Sequence, residues 1–512
     1  MEGYGQAETW AQPEDQVVIM GAGPAGLTAA YELAKHGVRS AVMEKDLRHV
    51  GGIARTVIHN GYHFDVGPHR FFSKSQEIED IWTEVLGADM LTCPRLTRIY
   101  YNGTYFDYPL KAANALLGLG PIETVRCMSS YAWARIHPVK EPQTFEDWVS
   151  NQFGHRLFSI FFKTYTEKVW GISTKELSAD WAAQRIKGLD LVQAIKAALI
   201  PQRSQKTKDR SAIIKTLVDE FRYPRRGTGQ MYERMAEIVR ERGNRVELGQ
   251  EVVAVLHDGT RATGIVTRSA DGQERHVSGT HFISTLPIRE LINSCQPALP
   301  EHVVAAANSL KYRDFVTVDV VVNRPKMFPD SWIYIHDPTV KVGRIQNYKN
   351  WSDDLSPNPQ TTSLSLEYFC FEGDGIWTSS NEELVELARQ ELAKLKLCKP
   401  EEVLWGMAVH QPKAYPVYDD EYKQHLAVIR DYLREHMPNL HLVGRNGMHH
   451  YNNQDHSMMT ALLVARNIAT GTQYDPWKVN TDAEYHEEAR LEDEDKSGRL
   501  MPSRVGARQE SA

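Results

Sequence analysis

A glycine-rich run follows the first apolar segment of the chain. Residues 17–20 read VVIM, and Gly21-Ala22-Gly23-Pro24-Ala25-Gly26 comes directly after them. The first glycine of such a run permits a tight turn, the second lets the backbone approach a pyrophosphate, and the third lets a helix pack closely on a strand. A helical pattern and a second apolar segment follow, and that segment ends at Glu44. The spacing predicts strand, turn, helix and strand, with Glu44 placed to accept hydrogen bonds from ribose hydroxyls.

A second pair of glycines lies shortly after this acid. Gly51-Gly52-Ile53-Ala54-Arg55 begins seven residues past Glu44, and Gly67-Pro68-His69 adds another turn with a polar side chain. A glycine pair and an arginine so close to the ribose-binding acid suit a long dinucleotide that lies across the domain. We also include Lys45, which follows Glu44, among the residues expected to contact the cofactor.

Composition narrows the class of protein. The chain has 512 residues, a net charge of -7 and a mean hydropathy of -0.45, which is typical of a globular protein of several domains. The acidic balance argues against a general nucleic-acid-binding protein, and no apolar run is long enough for a transmembrane helix. The five cysteines form no C-x-x-C pair, and the polar, acidic start does not resemble a signal peptide. We therefore expect a cytoplasmic enzyme without a nucleic-acid partner or an integral membrane segment.

The glycine motifs resemble those of the flavin-dependent amine oxidase and protoporphyrinogen oxidase superfamily, in which the second glycine run lies along FAD. Residues 246–255 (VELGQEVVAV) resemble the strand pair beside the adenine, with Val252 as the contact, and residues 284–287 (STLP) resemble a strand end of the FAD domain. The resemblance implies FAD as the cofactor. It also implies an α/β fold, in which a discontinuous Rossmann-like FAD-binding domain carries a helical subdomain and a mixed β-sheet substrate domain.

Two further segments resemble UDP-galactopyranose mutases, a branch of this superfamily. They are residues 161–171 (FFKTYTEKVWG) and 444–458 (GRNGMHHYNNQDHSM). Tyr165 and Trp170 fall on the tyrosine and tryptophan that line the sugar-nucleotide cleft of that branch. Arg185 falls within one residue of its mobile-loop arginine, and an arginine fork suits phosphate oxygens.

The second segment implies the flavin contacts. By resemblance, Arg445 lies near the pyrimidine edge of the flavin and Tyr451 points its hydroxyl toward a diphosphate. The start of the following helix lies by the flavin N1 and C2 oxygen, where its dipole favours a reduced, anionic flavin. His69 matches a histidine beneath the isoalloxazine ring. The remaining predicted contacts of this segment are Gly444, Asn453, Gln454 and Asp455, and Asn453 stands where the branch has an aspartate.

One departure concerns the diphosphate clamp. The mutase branch carries a second diphosphate arginine in a T-R-x-x-E run, whereas residues 363–367 read SLSLE and place Leu364 at that position. Arg344, in the run GRIQNY, is a substitute from a neighbouring strand, and Tyr348 at the end of that run is included as a substrate contact.

Two functions stay open. In the first, a nucleotide-sugar mutase-like enzyme interconverts pyranose and furanose rings, with N5 of reduced FAD as the nucleophile at the anomeric carbon. His69, Arg185, Arg344 and Tyr451 would be its catalytic residues, and NAD(P)H is a candidate external reductant. The alternative is an FAD-dependent oxidoreductase of the amine oxidase type that acts on a sugar or another small molecule. Several aromatic residues favour this alternative: Tyr348, Trp351, Tyr368, Phe369 and Phe371.

We expect the FAD-binding domain to comprise residues 1–100, 215–290 and 438–475. A helical subdomain would span 101–214, a mixed-sheet domain 291–437, and a charged tail 476–512. The histidines at 449, 450 and 456 lack the spacing of metal ligands, so no metal site is expected. The sequence leaves the oligomeric state open.

Overall fold

The computed structural model describes residues 17–108, 110, 112–177, 220–419 and 421–480. The strands are β1 Val17–Met20, β2 Ser40–Glu44, β3 Thr56–His59, β4 Tyr62–Asp65, β5 Met90–Pro94, β6 Thr97–Tyr101, β7 Thr104–Asp107, β8 Glu220–Pro224, β9 Arg245–Leu248, β10 Glu251–His257, β11 Ala262–Arg268, β12 Glu274–Ser278, β13 His281–Ser284, β14 Cys295–Gln296, β15 Tyr312–Val322, β16 Trp332–Ile335, β17 Arg344–Asn347, β18 Thr362–Cys370, β19 Val403–Pro416 and β20 Leu440–Leu442. The helices are α1 Pro24–Lys35, α2 Gln76–Leu86, α3 Ala112–Leu119, α4 Pro121–Ile136, α5 Phe145–Phe153, α6 His155–Phe158, α7 Thr164–Trp170, α8 Gly229–Glu241, α9 Ile288–Asn293, α10 Glu301–Ser309, α11 Asn381–Lys394, α12 Tyr422–His436, α13 Gly444–Gly447 and α14 Gln454–Thr470.

The glycine-rich run joins a parallel sheet to its first helix. The sheet has the order β20-β13-β1-β2-β9, and every adjacent pair in it is parallel. Both faces of β1 and β2 are buried, as the near-continuous apolar sequence of these strands requires. Helices α1, α8 and α14 share one core on this sheet. The predicted strand, turn, helix and strand is confirmed, and so is the α/β fold class.

The opposite face of the parallel sheet is covered by helices from a distant part of the chain. Apolar residues of α9, α10 and α12 form a core with Val18, Met20 and Phe282. Strands β12-β11-β10-β14 form a separate four-stranded sheet beside this core. Helices α10 and α12 therefore pack against the nucleotide-binding sheet, although the predicted domain boundaries assign residues 291–437 to a substrate domain.

A seven-stranded sheet of order β19-β15-β18-β17-β16-β6-β7 forms the second layer. Strand β6 joins it by pairing in parallel with β16, although the expected boundary near residue 100 places β6 with the FAD-binding part. Alternate residues of β18 face opposite sides. Leu364 and Leu366 lie in the core under α11, and the side chain of Glu367 lies next to Gly67 on the other side.

Helices α3 to α7 lie between residues 112 and 170, with a π-helical segment, Ser159–Lys163, before α7. They fall within the span 101–214 predicted as a helical subdomain, of which residues 109, 111 and 178–214 lie outside the described part. Their shared core also includes residues of the seven-stranded sheet, such as Phe315 and Phe369. Within the ranges that the structure describes, no helix is long and apolar enough to cross a membrane.

The end of the described chain is packed. Val479 and Asn480 are buried, and the guanidinium of Arg430 lies over the Trp477 ring at 3.9 Å from its centroid. Residues 476–480 therefore belong to the folded part, which corrects the predicted start of the tail. The remainder of that predicted tail, 481–512, lies outside the described residues.

Candidate flavin and substrate site

The glycines of the first turn are required by close backbone approaches. A Cβ on Gly26 would lie 1.9 Å from the carbonyl oxygen of Gly21, and a Cβ on Gly21 would lie 2.2 Å from Oγ1 of Thr285. Gly21 also has a φ of +101°, which L side chains rarely adopt. The second glycine run lies against the first, because a Cβ on Gly52 would be 3.2 Å from the Cα of Gly23. The two glycine turns therefore pack directly against each other.

The two turns have the donor and acceptor pattern of a dinucleotide site. Helix α1 begins at Pro24, directly after Gly23, and no side chain caps its N-terminus. Its first N–H groups are therefore the ones that a pyrophosphate meets. Glu44 ends β2 beside this turn, where its carboxylate accepts from the backbone N–H of Ala22 at 2.7 Å. The residues that the structure brings together here fit an FAD dinucleotide.

The neighbouring predicted contacts take several positions. Ala25 and Ala54 are buried, Pro24 and Ile53 are half-buried, and the Lys45 side chain is exposed.

Arg55 and Val252 occupy different surroundings. Arg55 donates to the carbonyl oxygen of Gly52 at 2.9 Å and to Oε1 of Gln411 at 2.6 Å, and burial lowers its pKa. Val252 is half-buried and pairs with Thr267 in the four-stranded sheet.

The C-terminal turn lies on the start of α1. A Cβ on Gly444 would be 3.0 Å from the Cβ of Ala25, and Gly444 has a φ of +81°. Asn453 is the N-cap of α14, and Gln454 accepts from the hydroxyl of Tyr232 at 2.7 Å. Asp455 is buried in the first turn of this helix. The structure thus brings the predicted residues of both glycine segments to one place.

His69 lies on the loop between β4 and α2. Its Nε2 is 2.9 Å from the carbonyl oxygen of Val66, so Nε2 carries the proton of this hydrogen bond. Burial, together with the nearby charges of Arg445 and Arg344, lowers the pKa of His69 to about 3. The imidazole is therefore neutral near pH 7, and it does not serve there as a general acid.

Asp65 holds this loop from beneath, and the sequence offered no signal for it. Its carboxylate accepts from the hydroxyls of Thr56 and Tyr223, both at 2.6 Å, and from the backbone N–H of Thr228 at 3.0 Å. Thr228 also donates to the carbonyl oxygen of His69 at 2.7 Å. The buried carboxylate of Asp65 thus fixes the loop that carries His69.

Arg344 and Glu367 form a buried ion pair on adjacent strands. The two residues are register partners in β17 and β18, and Nε of Arg344 donates to Oε2 of Glu367. Arg344 also donates to the hydroxyl of Tyr415 at 2.9 Å. Burial disfavours the charge of Arg344, but the facing carboxylate raises its pKa well above the ordinary value. Burial raises the pKa of Glu367, and Arg344 opposes that rise.

Aromatic rings extend from this ion pair. Tyr415 stacks on Tyr451 with ring centroids 5.4 Å apart, and the guanidinium of Arg445 lies 4.7 Å from the Tyr451 centroid. Tyr165 stacks on His336 at 4.8 Å, and Arg344 is among the charges that act on its hydroxyl. Sequence reasoning missed Tyr415, the residue that joins Arg344 to Tyr451, because only the folded sheet brings them together.

Two predicted substrate residues are largely or wholly buried. Tyr348 has no exposed surface and donates its hydroxyl to the carbonyl oxygen of Asp65 at 2.8 Å, so packing accounts for it and we remove it from the site. Trp170 is only 5% exposed, with its ring 6.4 Å from that of Tyr415. Arg185 lies outside the described residues.

Lys168 secures the segment that separates Tyr165 from Trp170. Its ammonium donates to the carbonyl oxygens of Ile335, Asp337 and Val342 at 3.1, 2.7 and 3.1 Å. From the other side, Glu391 accepts from the N–H of Val342 at 3.0 Å. Burial lowers the pKa of Lys168 to about 8. Helix α7 is thereby fastened to the loop that leads to Arg344.

The comparisons with known proteins follow these motifs. The family model of flavin-containing amine oxidoreductases matches residues 24–469. A protein described as a probable UDP-galactopyranose mutase of Klebsiella pneumoniae is 30% identical over 179 residues, which are 32% of this chain and 43% of that protein. A dTDP-fucopyranose mutase of Escherichia coli is 29% identical over 174 residues, which are 32% and 44% of the two chains. The matches thus span less than half of these relatives.

Solved structures share the fold. A reduced UDP-galactopyranose mutase superposes with a TM-score of 0.75 at 23% identity, over 90% of this chain and 94% of that one. A putrescine oxidase bound to putrescine superposes with a TM-score of 0.57 at 17% identity, over 88% and 99% of the two chains. The family model covers far more than half of the sequence, and the resemblance inferred from the glycine motifs is confirmed. The chain belongs to the flavin-containing amine oxidoreductase family and is an FAD-dependent enzyme.

Proposed function

We propose that the protein is a nucleotide-sugar mutase-like flavoenzyme. The observation that carries the proposal is the arrangement of Arg344, Tyr415, Tyr451 and Arg445, which sets two guanidiniums and two phenols around the His69 loop. Guanidiniums suit a diphosphate by charge and by fork geometry. The partial matches to two nucleotide-sugar mutases support the same substrate class.

In this proposal the chain binds and orients, and the cofactor supplies the reactive atom. FAD would be held by the two glycine turns, by Glu44 and by the start of α14. When bound and reduced, FAD would supply a nucleophilic nitrogen for the anomeric carbon, and NAD(P)H is a proposed source of its electrons. Arg445 would lie at the pyrimidine edge of the flavin, and Arg344 would neutralise the departing diphosphate, which would keep it near the sugar for its return. Arg185 is proposed for the same role.

The other side chains would orient the substrate and exclude water from the site. Tyr165 and Trp170 would fix the nucleotide and the sugar, and Tyr451 would direct its hydroxyl toward the diphosphate. His69 stays neutral at pH 7, so it offers a hydrogen-bonding edge without charge. The buried rings exclude water, which protects a sugar whose bond to the diphosphate is broken.

A second candidate is the oxidation of a small molecule by FAD. It is favoured by the ion pair with Glu367, which already neutralises Arg344, and by Leu364, which lies in the core and offers no second cation there. An oxidation site needs an apolar slot more than it needs phosphate-binding charge. In this reading Tyr165, Tyr415 and Tyr451 would form that slot.

Equilibrium dialysis of the FAD-loaded protein separates the two candidates. The mutase proposal predicts retention of a UDP-hexose and of UDP, but not of the free hexose, and a clear loss in Arg344→Gln. The matched control is Arg268→Gln, which removes an arginine from an exposed ion pair with Glu274. Retention of neither nucleotide by the FAD-loaded protein would overturn the proposal.

A further inference from the structure

The outer side of helix α4 is apolar and exposed. Ile122, Val125, Trp133 and Ile136 are 72%, 64%, 66% and 71% exposed. At 3.6 residues per turn these four positions share one side of the helix, opposite the buried Cys127. A helix that packs by one face ordinarily presents polar side chains on the other, so this side calls for an explanation.

Further exposed apolar residues lie close to α4 in the sequence. Twelve large hydrophobic residues are exposed in the described parts of the chain, and seven of them fall between residues 117 and 139. We call this set the outer patch; it consists of Leu117, Ile122, Val125, Met128, Trp133, Ile136 and Val139. Single exposed apolar residues are normal, but a contiguous group marks a contact surface.

Basic residues border the outer patch. Residues 117–141 contain three cations, Arg126, Arg135 and Lys140, and two acids, Glu123 and Glu141. The carboxylate of Glu123 already receives hydrogen bonds from Arg156 and Arg126. By helical position, Arg126 and Arg135 lie on the two edges of the apolar stripe. The border is therefore locally basic in a chain whose net charge is -7.

The basic border indicates which kind of partner binds the outer patch. In a two-fold contact between copies of this chain, each basic border would face the other, which like charges oppose. An anionic lipid bilayer complements both parts, since its acyl region takes the apolar stripe and its headgroups attract the arginines. The indole of Trp133 suits the boundary between these layers. We propose that the outer patch docks this protein on the surface of an anionic membrane, independently of the reaction that it catalyses.

Vesicle flotation of the full-length, FAD-loaded protein tests the proposal. We expect it to float with vesicles of phosphatidylcholine mixed with phosphatidylglycerol, and far less with phosphatidylcholine alone. Trp133→Ser should weaken binding about tenfold or more. Replacing Arg126 and Arg135 together by Gln should weaken it about thirtyfold, and added salt should reproduce that loss. Leu47→Ser, at a position 62% exposed elsewhere on the chain, is the matched control and should float normally.

The substituted side chains are exposed, so thermal unfolding should be unchanged and a loss of flotation should report binding. Absence of flotation with the anionic vesicles would overturn the proposal. It would also be overturned if Trp133→Ser and Leu47→Ser floated equally well. A dimer in light scattering that Trp133→Ser dissociates, without vesicle binding, would assign the outer patch to a second copy instead.

Discussion

Replacing Glu367 by glutamine tests whether Arg344 is available to a diphosphate. Glu367 is fully buried between Arg344 and Gln346, and Nε2 of Gln346 donates to it at 3.3 Å. A carboxamide fills the same volume. Oε1 of Gln346 has no hydrogen-bond partner among the described residues, so that amide can accept from the new NH2 group. The guanidinium of Arg344 then faces no carboxylate.

The magnitude follows from the charge that is released. A hydrogen bond to a charged group contributes about 1.5–3 kcal/mol. In Glu367→Gln, a diphosphate no longer competes with a carboxylate for the guanidinium of Arg344. Glu367→Gln should therefore tighten UDP binding by roughly 10- to 150-fold. Arg344→Gln should weaken it by a similar factor. Uridine lacks the diphosphate, so its affinity should change little in either variant.

Isothermal titration of the FAD-loaded proteins with UDP and with uridine measures this difference. Mildly alkaline buffer favours the ionised form of Glu367 in the unsubstituted protein, because burial raises the pKa of this residue. Thermal unfolding shows whether each variant keeps its fold. The reasoning is refuted if UDP binds the unsubstituted protein and Glu367→Gln with equal affinity, since Arg344 would then not contact the diphosphate.

Three other substitutions have defined outcomes. Gly26→Ala should reduce FAD content and cost about 1–3 kcal/mol of unfolding free energy, since its Cβ meets the Gly21 carbonyl. Gly375→Ala is the control and should keep its FAD, because its Cβ meets nothing within 4 Å and Gly375 has no positive φ; equal FAD absorbance and equal unfolding free energies of the two variants would contradict this. Burial raises the pKa of Asp319 from 3.8 to about 8, so the free energy of unfolding falls as pH rises through this range. Between these two pH values, Asp319→Asn should become more stable than the unsubstituted protein by about 1.4 kcal/mol per pH unit. A stability difference that does not change with pH would show that Asp319 titrates normally. Trp170→Phe should keep FAD in absorbance spectra and weaken UDP-hexose binding about tenfold, whereas unchanged binding would remove Trp170 from the cleft.

The FAD-binding part could be predicted because its signals are local. Gly21 and Gly26 are close in sequence, and the clash that a Cβ would cause at Gly26 involves the carbonyl of Gly21 itself. Such a turn depends little on the remainder of the chain. Likewise, the near-continuous apolar sequence of β1 and β2 matches a parallel strand that is covered on both faces.

The substrate side depends on contacts between distant segments. Tyr415 reaches Arg344 across the sheet, and Lys168 binds carbonyl oxygens that no side-chain pattern reveals. Tyr348 has a side chain that could bind a substrate, but its hydroxyl donates to the backbone carbonyl oxygen of Asp65. Its burial is a property of the folded aromatic cluster, so no spacing in the sequence indicates it.

The direction in which the Leu364 side chain points could be predicted from the alternation of side chains along a strand. Residues three apart on a strand point to opposite faces, so Leu364 and Glu367 do not share a face. The structure shows this directly, because Leu364 lies in the core under α11, whereas Glu367 bonds Arg344. Arg344 is the register partner of Glu367, and its part in binding a diphosphate stays a prediction.

Turnover of nucleotide sugars by the reduced and the oxidised enzyme tests the proposed chemistry most directly. FAD-loaded protein would be incubated anaerobically with UDP- and dTDP-hexoses, half of it reduced with dithionite, and the products separated by chromatography and weighed by mass spectrometry. The mutase proposal predicts a product of unchanged mass and shifted retention, only with the reduced enzyme. A product two mass units lighter, formed by the oxidised enzyme as its flavin bleaches, would contradict that proposal and establish an oxidation.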